Sequence, residues 1–148
     1  MLKRPQTQIR LDTMVDILKS AAEPSRLRIL LLLSHADLTV SDLTEVLNQS
    51  QPRVSRHLKL LLDAGLIVRY QEGSWAFFRL AEAEAQREVV DWVVVRVDRA
   101  DPVADRDLER LEAIKRRRQE RAAEYFAKNA ASWDQIRSLH VPDAAVEA

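Results

Sequence analysis

The sequence predicts a mainly α-helical fold with one small β-hairpin, the arrangement of a winged helix-turn-helix with a long C-terminal helix. Two observations point to this fold. Apolar residues recur at helical spacing along most of the 148 residues, and the pattern changes to strand-like alternation only after Gly65. The only two glycines of the chain, Gly65 and Gly73, stand where a helix must stop and where a hairpin must turn.

Four helices are predicted before the hairpin, each with apolar residues at helical spacing. Their predicted ranges are 11–22, 25–34, 42–47 and 51–64. Pro24 separates the first two, because proline disfavours helix in the residue before it. After an extended piece at 38–40, Ser41 is the predicted N-cap of the third helix, and Pro52 suits the first turn of the fourth.

The hairpin and two further helices follow. The predicted strands are 66–70 and 75–80, with a turn at 71–74. The fifth helix is predicted over 81–99, although its VVDWVVVRV segment is β-branched and would also suit a buried strand; the AEAEAQRE segment before it favours helix. After Asp101-Pro102, the last helix is predicted over 103–129, and the tail 130–148 has no compact ending.

Composition excludes several classes of function. The chain has no cysteine, so disulfides, zinc–thiolate sites and cysteine catalysis are excluded. Its 23 basic and 23 acidic residues balance, which argues against non-specific coating of nucleic acid. No catalytic constellation or phosphate-cradling loop is recognisable, so an enzyme is not predicted. No signal peptide or bilayer-length apolar run is present, which predicts a cytoplasmic protein without a membrane partner.

The fourth predicted helix combines an apolar face with groups that bind double-stranded DNA. Arginine reads guanine, glutamine reads adenine, and serine or lysine reaches phosphate. Between residues 48 and 70, basic residues outnumber acidic ones by four to one. The DNA-binding candidates are Gln51, Arg53, Ser55, Arg56, His57 and Lys59 in the helix, and Arg69 and Ser74 in the hairpin. For His57, a surface or capping role is the alternative. Arg26 and Arg28 are further candidates for phosphate contact, although one of them could instead pair with Glu23.

The segments PSRLRILLLL and DLTVSDLTEVLNQSQPRVSRHLKLLLDAGLIVRYQEGSWAFFRL resemble the ArsR/SmtB family of prokaryotic repressors, over about residues 11–100. The resemblance implies a homodimer that binds a palindromic operator and is regulated by an effector, often a metal ion. It also implies an interface between the first and fifth helices. The interface candidates are Met14, Leu18, Val90, Val93 and Val97, and Trp92 is expected in the same seam.

The metal-ligating residues that the resemblance implies are replaced by other residue types in this sequence. The positions of the family's thiolate ligands fall on Thr39, Ser41 and Thr44, none of which binds soft metals. The fifth helix has no histidine, and Asp91 alone is not a site. We therefore expect no metal site.

The last segment, RAAEYFAKNAASWDQIRSLHVPDAAVEA, resembles the linker of family members that are fused to an S-adenosylmethionine-dependent methyltransferase domain. This implies a DNA-binding and dimerisation domain over 1–100 and a helical linker over 101–148, with the methyltransferase as a partner outside the chain. The effector would then be S-adenosylmethionine or S-adenosylhomocysteine. The alternative function is a regulatory module of such an enzyme with weak DNA binding.

Two tryptophans and one basic run are also assigned from the sequence. Trp75 is expected to pack in the wing and Trp133 in the tail. The KRRRQER run, 115–121, is interpreted as a solvated charged face rather than a nucleic-acid patch, because nearby glutamates can pair with it at helical spacing.

Overall fold

The computed structural model of the chain describes residues 7–140, with side chains for residues 7–130. Its elements are α1 (Leu11–Ala21), α2 (Pro24–Leu33), α3 (Val40–Leu47), α4 (Gln51–Asp63), β1 (Ile67–Glu72), β2 (Trp75–Leu80), α5 (Glu84–Arg96) and α6 (Pro102–His140). The predicted mainly helical fold with a two-stranded wing is confirmed. Within these residues, no helix combines the length and the apolarity needed to cross a membrane.

The chain divides into two compact units between Leu111 and Glu112. The first unit holds α1 to α5, the hairpin and the start of α6; the second holds the rest of α6. The core of the first unit is built from aliphatic side chains, and each contributes about 1.5–3 kcal/mol when fully buried. Its completely buried members are Ile17, Ile29, Leu32, Leu38, Leu43, Val46, Val54, Leu61 and Leu111.

Helix α3 begins earlier than its predicted start, at Val40, and its N-cap is Thr39 rather than Ser41. The Thr39 hydroxyl accepts a hydrogen bond from the Asp42 N–H at 3.1 Å, and the Asp42 carboxylate accepts one from the Thr39 N–H at 2.9 Å. This reciprocal capping box satisfies two backbone donors at once. Ser41 is exposed within the helix, so its assignment as N-cap was wrong.

The turn between α3 and α4 is fixed by local chemistry. Asn48 ends α3 in the left-handed conformation, with φ 54°, which asparagine tolerates better than most residues. The Ser50 hydroxyl caps α4 by accepting a hydrogen bond from the Arg53 N–H. The Gln49 side-chain amide donates to the Ser25 hydroxyl at 2.7 Å. The turn is therefore joined to α2 as well as to its own helices.

The wing is a tight antiparallel hairpin. Glu72 pairs with Trp75, so the turn is only Gly73-Ser74, shorter than the predicted 71–74, and Gly73 has φ 61°. Phe78 is 4% exposed and pairs with Leu38, which anchors the hairpin to the segment before α3. Trp75 is 60% exposed because it lies beside the turn, beyond the core; the prediction that it packs in the wing was wrong.

The last two helices differ in length from their predicted ranges. Helix α5 covers only Glu84–Arg96, whereas α6 continues through His140 rather than ending near 129. No proline or glycine interrupts residues 103–140, so nothing in the backbone ends the helix earlier. The side chain of Trp133 and residues 141–148 lie outside the described part of the chain.

The start of α6 is bonded to two other helices of the first unit. Arg28 of α2 donates two hydrogen bonds to the Asp107 carboxylate, at 2.7 and 2.9 Å. One turn further along, the Arg110 guanidinium donates to the Val46 carbonyl at 2.9 Å, near the end of α3. These bonds connect the start of α6 to α2 and to α3, the first helix of the helix-turn-helix.

Candidate nucleic-acid interface

Helix α4 has two faces with different compositions. Val54, Leu58 and Leu61 are at most 2% exposed and hold the helix against the core. The opposite face is exposed and polar, and it contains Gln51, Arg53, Arg56 and Lys59. The first turns of α4 therefore present hydrogen-bonding and cationic groups to solvent, while the same helix is fixed by its apolar side.

Arg53 and Arg56 are the most available cations on this face. In the part of the chain that the structure describes, neither guanidinium has a hydrogen bond or an ion pair with another side chain. By contrast, the Lys59 ammonium contacts the Asp63 carboxylate at 3.2 Å. The Gln51 amide donates to the half-buried Ser55 hydroxyl at 3.1 Å, a bond that is easily exchanged at the surface.

His57 does not lie on the exposed face of α4. Its side chain is 14% exposed, its Nδ1 is 3.2 Å from a guanidinium nitrogen of Arg26, and the Glu23 carboxylate is 3.7 Å away. Burial lowers the pKa of His57, and the charges of Arg26, Arg53 and Arg56 lower it further against the opposing effect of Glu23. The neutral ring therefore accepts a hydrogen bond from Arg26 and joins α4 to α2. This bridging role differs from the surface or capping role that the sequence offered as the alternative to DNA contact.

The two arginines of α2 also make hydrogen bonds within the protein. The Arg26 guanidinium donates to the Ser20 carbonyl as well as to His57, and Arg28 pairs with Asp107. Neither is presented as a phosphate ligand. The sequence suggested either phosphate contact or pairing with Glu23. The partner of Arg28 comes instead from a distant helix, which spacing along the chain does not reveal.

Arg69 and Ser74 of the wing are exposed, as expected for groups that reach DNA beside a recognition helix. Among the described residues, the Arg69 guanidinium is bonded to the neighbouring Gln71, at 3.4 Å. The base of the wing instead holds a cluster that the sequence did not predict. The Asp37 carboxylate accepts hydrogen bonds from the Tyr70 hydroxyl at 2.7 Å and from Arg79 at 2.8 Å. Alternation placed Tyr70 in a strand but gave no indication of Asp37.

The Asp37 cluster fixes the orientation of the wing. Burial raises the pKa of the Asp37 carboxyl, but the hydrogen bonds from Tyr70 and Arg79 outweigh this and lower it below its ordinary value. The Arg79 guanidinium also lies over the Tyr70 ring, 4.6 Å from its centre. The hairpin is thereby tied to the loop after α2, so Arg69 is carried on a fixed base.

Exposed apolar side chains mark one face of α1, and apolar side chains are also exposed at several positions of α5. Leu18 is 54% exposed, and Met14, Val93 and Val97 are half-buried. Val90 is 1% exposed and packs within its own protomer, so its assignment to an interface was wrong. Helical spacing identifies an apolar face but does not say whether that face meets the same chain or another. The remaining exposed apolar residues on these helices are Leu11, Val15, Trp92 and Val95.

No group of three His, Asp or Glu side chains that could hold a metal ion occurs among the residues that the structure describes.

Comparison with known proteins gives consistent matches for the first unit. The family model described as "Bacterial regulatory protein, arsR family" matches residues 23–68. The transcriptional repressor SdpR of Bacillus subtilis is 30% identical over 88 residues, which cover 60% of this chain and 97% of that protein. The arsenical resistance operon repressor of Escherichia coli is 44% identical over 68 residues, 45% of this chain; the match spans only 58% of that repressor's length.

Solved structures give the same fold. A homodimeric winged helix-turn-helix DNA-binding domain from Mycobacterium bovis is 27% identical, with a TM-score of 0.53 over 60% of this chain and 82% of that one. HlyU from Vibrio cholerae is 29% identical, with a TM-score of 0.51 over 59% of this chain and 95% of that one. The family model's match runs from α2 to the start of β1, a stretch that includes the candidate DNA-binding residues of α4.

Proposed function

Because the chain belongs to the arsR family of bacterial regulatory proteins, we propose that it is a transcriptional repressor that binds operator DNA through α4. The observation that carries the proposal is the outer face of α4, where Arg53 and Arg56 are exposed and have no side-chain partner in the described structure. Unpaired guanidiniums on the second helix of a helix-turn-helix are suited to bidentate bonds with guanine in the major groove.

The remaining candidates have supporting roles in this proposal. Gln51 lies at the start of α4, where recognition helices contact base edges, and its amide can read adenine. Lys59, further along the helix and paired with Asp63, is suited to phosphate. Arg69 and Ser74 reach the backbone or the adjacent minor groove from the wing. His57 is a positioning residue, because its ring is bonded to Arg26.

We further propose that the protein acts as a homodimer on a palindromic operator. The exposed apolar residues of α1 and α5 support this, as does the homodimeric relative from Mycobacterium bovis. A two-fold axis would place two α4 helices roughly 34 Å apart, so that they read half-sites one helical turn apart. Leu18→Lys is expected to shift the protein to monomer in sedimentation analysis, because it places a charge in an apolar interface. Val103→Lys, at a similarly exposed position on α6, serves as the control.

The effector is proposed not to be a thiophilic metal, because no thiolate ligand exists among the 148 residues. A role as a methyltransferase module is less well supported than repression, because the named relatives are repressors and the similar folds include transcriptional regulators.

Fluorescence anisotropy tests the DNA-binding proposal. The full chain is titrated with a labelled duplex from the region upstream of its own gene and with a shuffled duplex, at two salt concentrations. We expect a preference of about a thousandfold for the upstream duplex and steep salt dependence. Equal weak binding to both duplexes would refute specific recognition of that region.

Variants locate the interface. Arg53→Ala and Arg56→Ala are each expected to cost about 1–3 kcal/mol on the preferred duplex and less on the shuffled one. Arg106→Ala, exposed on α6, is the control and is expected to change neither affinity. Equal losses on both duplexes would show that Arg53 and Arg56 contact phosphate alone.

A further inference from the structure

A cavity of about 270 Å³ lies in the first unit, between α2, α5 and the start of α6. Its walls are mainly apolar and include Leu31 and Leu32 of α2, Val94 of α5 and Leu108 of α6. None of these residues belongs to the outer face of α4 or to the wing. The cavity therefore has no role in the proposed contacts with DNA.

Asp107 and Arg99, two charged residues that line the cavity, differ in how available their side chains are to a ligand. The Asp107 carboxylate is 4% exposed and already receives both hydrogen bonds from Arg28. Arg99, in the turn between α5 and α6, also lines the cavity, and within residues 7–130 its guanidinium has no hydrogen bond or ion pair. Ser34 and His35 are the other polar residues of the lining. The site thus joins mainly apolar walls to the Arg99 guanidinium, and this combination is complementary to an apolar molecule with one negative charge.

We propose that this cavity binds a small amphipathic carboxylate, with the hydrocarbon part between α2, α5 and α6 and the carboxylate on Arg99. A cavity of about 150 Å³ accommodates benzene, so this one has room for about ten non-hydrogen atoms. Octanoate and phenylacetate have this size and chemistry and serve as probes. Both probes carry a carboxylate on an apolar body, which is aliphatic in octanoate and aromatic in phenylacetate. The natural ligand is proposed to share this feature.

The cavity is connected to the helix-turn-helix through α6. Asp107, in the cavity wall, and Arg110, one turn along, are bonded to Arg28 of α2 and to the Val46 carbonyl of α3. A ligand that moves this turn of α6 changes the support of α3 and hence the presentation of α4. The next step rests on the proposed repressor function: the ligand is the effector that regulates DNA binding. Its effect on DNA affinity must then be matched by an equal effect of DNA on ligand affinity.

Calorimetric titration of the full chain with octanoate, without DNA, tests the site independently of the repressor function. We expect saturable binding, and about tenfold weaker binding of octanamide, which has the same shape but no charge. Arg99→Gln is expected to remove this tenfold preference, whereas Arg106→Gln, a control on the exposed part of α6, retains it. Equal affinity for octanoate and octanamide, no saturable binding of either acid probe, or an unchanged preference in Arg99→Gln would overturn the proposal.

Two further measurements separate the cavity from its regulatory role. Leu108→Trp fills the cavity and is expected to abolish octanoate binding while the circular dichroism spectrum stays that of the parent; binding retained in a folded Leu108→Trp protein would place the ligand elsewhere. Octanoate is then added to the anisotropy assay with the preferred duplex. A change in DNA affinity that is lost in Arg99→Gln supports the effector role, and binding without any such change would overturn that role while the ligand site stands.

Discussion

Replacement of Asp107 by asparagine tests whether the start of α6 is held by a buried charge pair. Asp107 accepts hydrogen bonds from Nε and Nη2 of Arg28, at 2.7 and 2.9 Å, and the side chains of Asp107 and Arg28 are 4% and 18% exposed. The hydrogen bonds to Asp107 raise the pKa of Arg28, against the opposing effect of burial. In Asp107→Asn the shape is kept, but the guanidinium loses its counterion.

The expected cost follows from burial. Removal of one partner of a fully buried pair costs about 3–5 kcal/mol, because the other charge is left uncompensated. Arg28 keeps some contact with water, and the introduced amide would still accept one hydrogen bond. We therefore expect Asp107→Asn to lower the free energy of unfolding by about 2–3 kcal/mol. Urea unfolding followed by circular dichroism measures this, at one fixed protein concentration because the protein is proposed to be a dimer.

The Arg87–Asp91 pair provides a matched control. Its contact is also short, at 2.9 Å, but its side chains are 47% and 56% exposed. Asp91→Asn is therefore expected to cost less than about 0.5 kcal/mol. Equal costs for Asp107→Asn and Asp91→Asn would refute the argument from burial. The double replacement Arg28→Met with Asp107→Leu is expected to recover most of the lost stability, since it leaves no unpaired charge.

Two further predictions concern the capping box and the base of the wing. Thr39→Ala is expected to lower the free energy of unfolding by about 1 kcal/mol, whereas Ser41→Ala changes it little. Urea unfolding measures both values. A larger loss in Ser41→Ala than in Thr39→Ala would contradict Thr39 as the N-cap. The ionised Asp37 carboxyl has a lowered pKa in the folded protein, so its contribution to stability is present above its ordinary pKa near 3.8 and is lost as the pH falls through the lower folded value. Asp37→Asn should reduce the thermal stability at neutral pH, and the stability of the variant should fall less than that of the parent protein when the pH is lowered. An equally steep fall in both proteins would contradict the stabilising role of the ionised Asp37.

Local signals were sufficient for most of the fold. Gly65 and Gly73 both have positive φ, as their predicted places after a helix and in a hairpin turn required. The order of helices and strands followed from the change of period after Gly65, because 3.6-residue and 2-residue repeats are distinct over these lengths. The boundaries were less well predicted, since Thr39 and Ser41 are chemically similar caps and only the backbone conformation selects between them.

The candidate site was predictable as a face but not as a set of contacts. The apolar spacing of Val54, Leu58 and Leu61 identified which side of α4 is buried, and so which side is exposed. The place of His57 depends on Arg26, which is 31 residues away in the chain, and no spacing rule predicts that contact. The same holds for Arg28 and Asp107, 79 residues apart.

The two faces of α4 have a consequence for how such regulators diverge. The residues that anchor the helix and the residues that face outward are different residues, so most exchanges at Gln51, Arg53 or Arg56 leave the core untouched. Under the proposed contacts, substitutions at these three positions can therefore change which DNA sequence α4 reads without unfolding the domain. DNA binding, rather than the stability of the fold, is then the main constraint on these three positions.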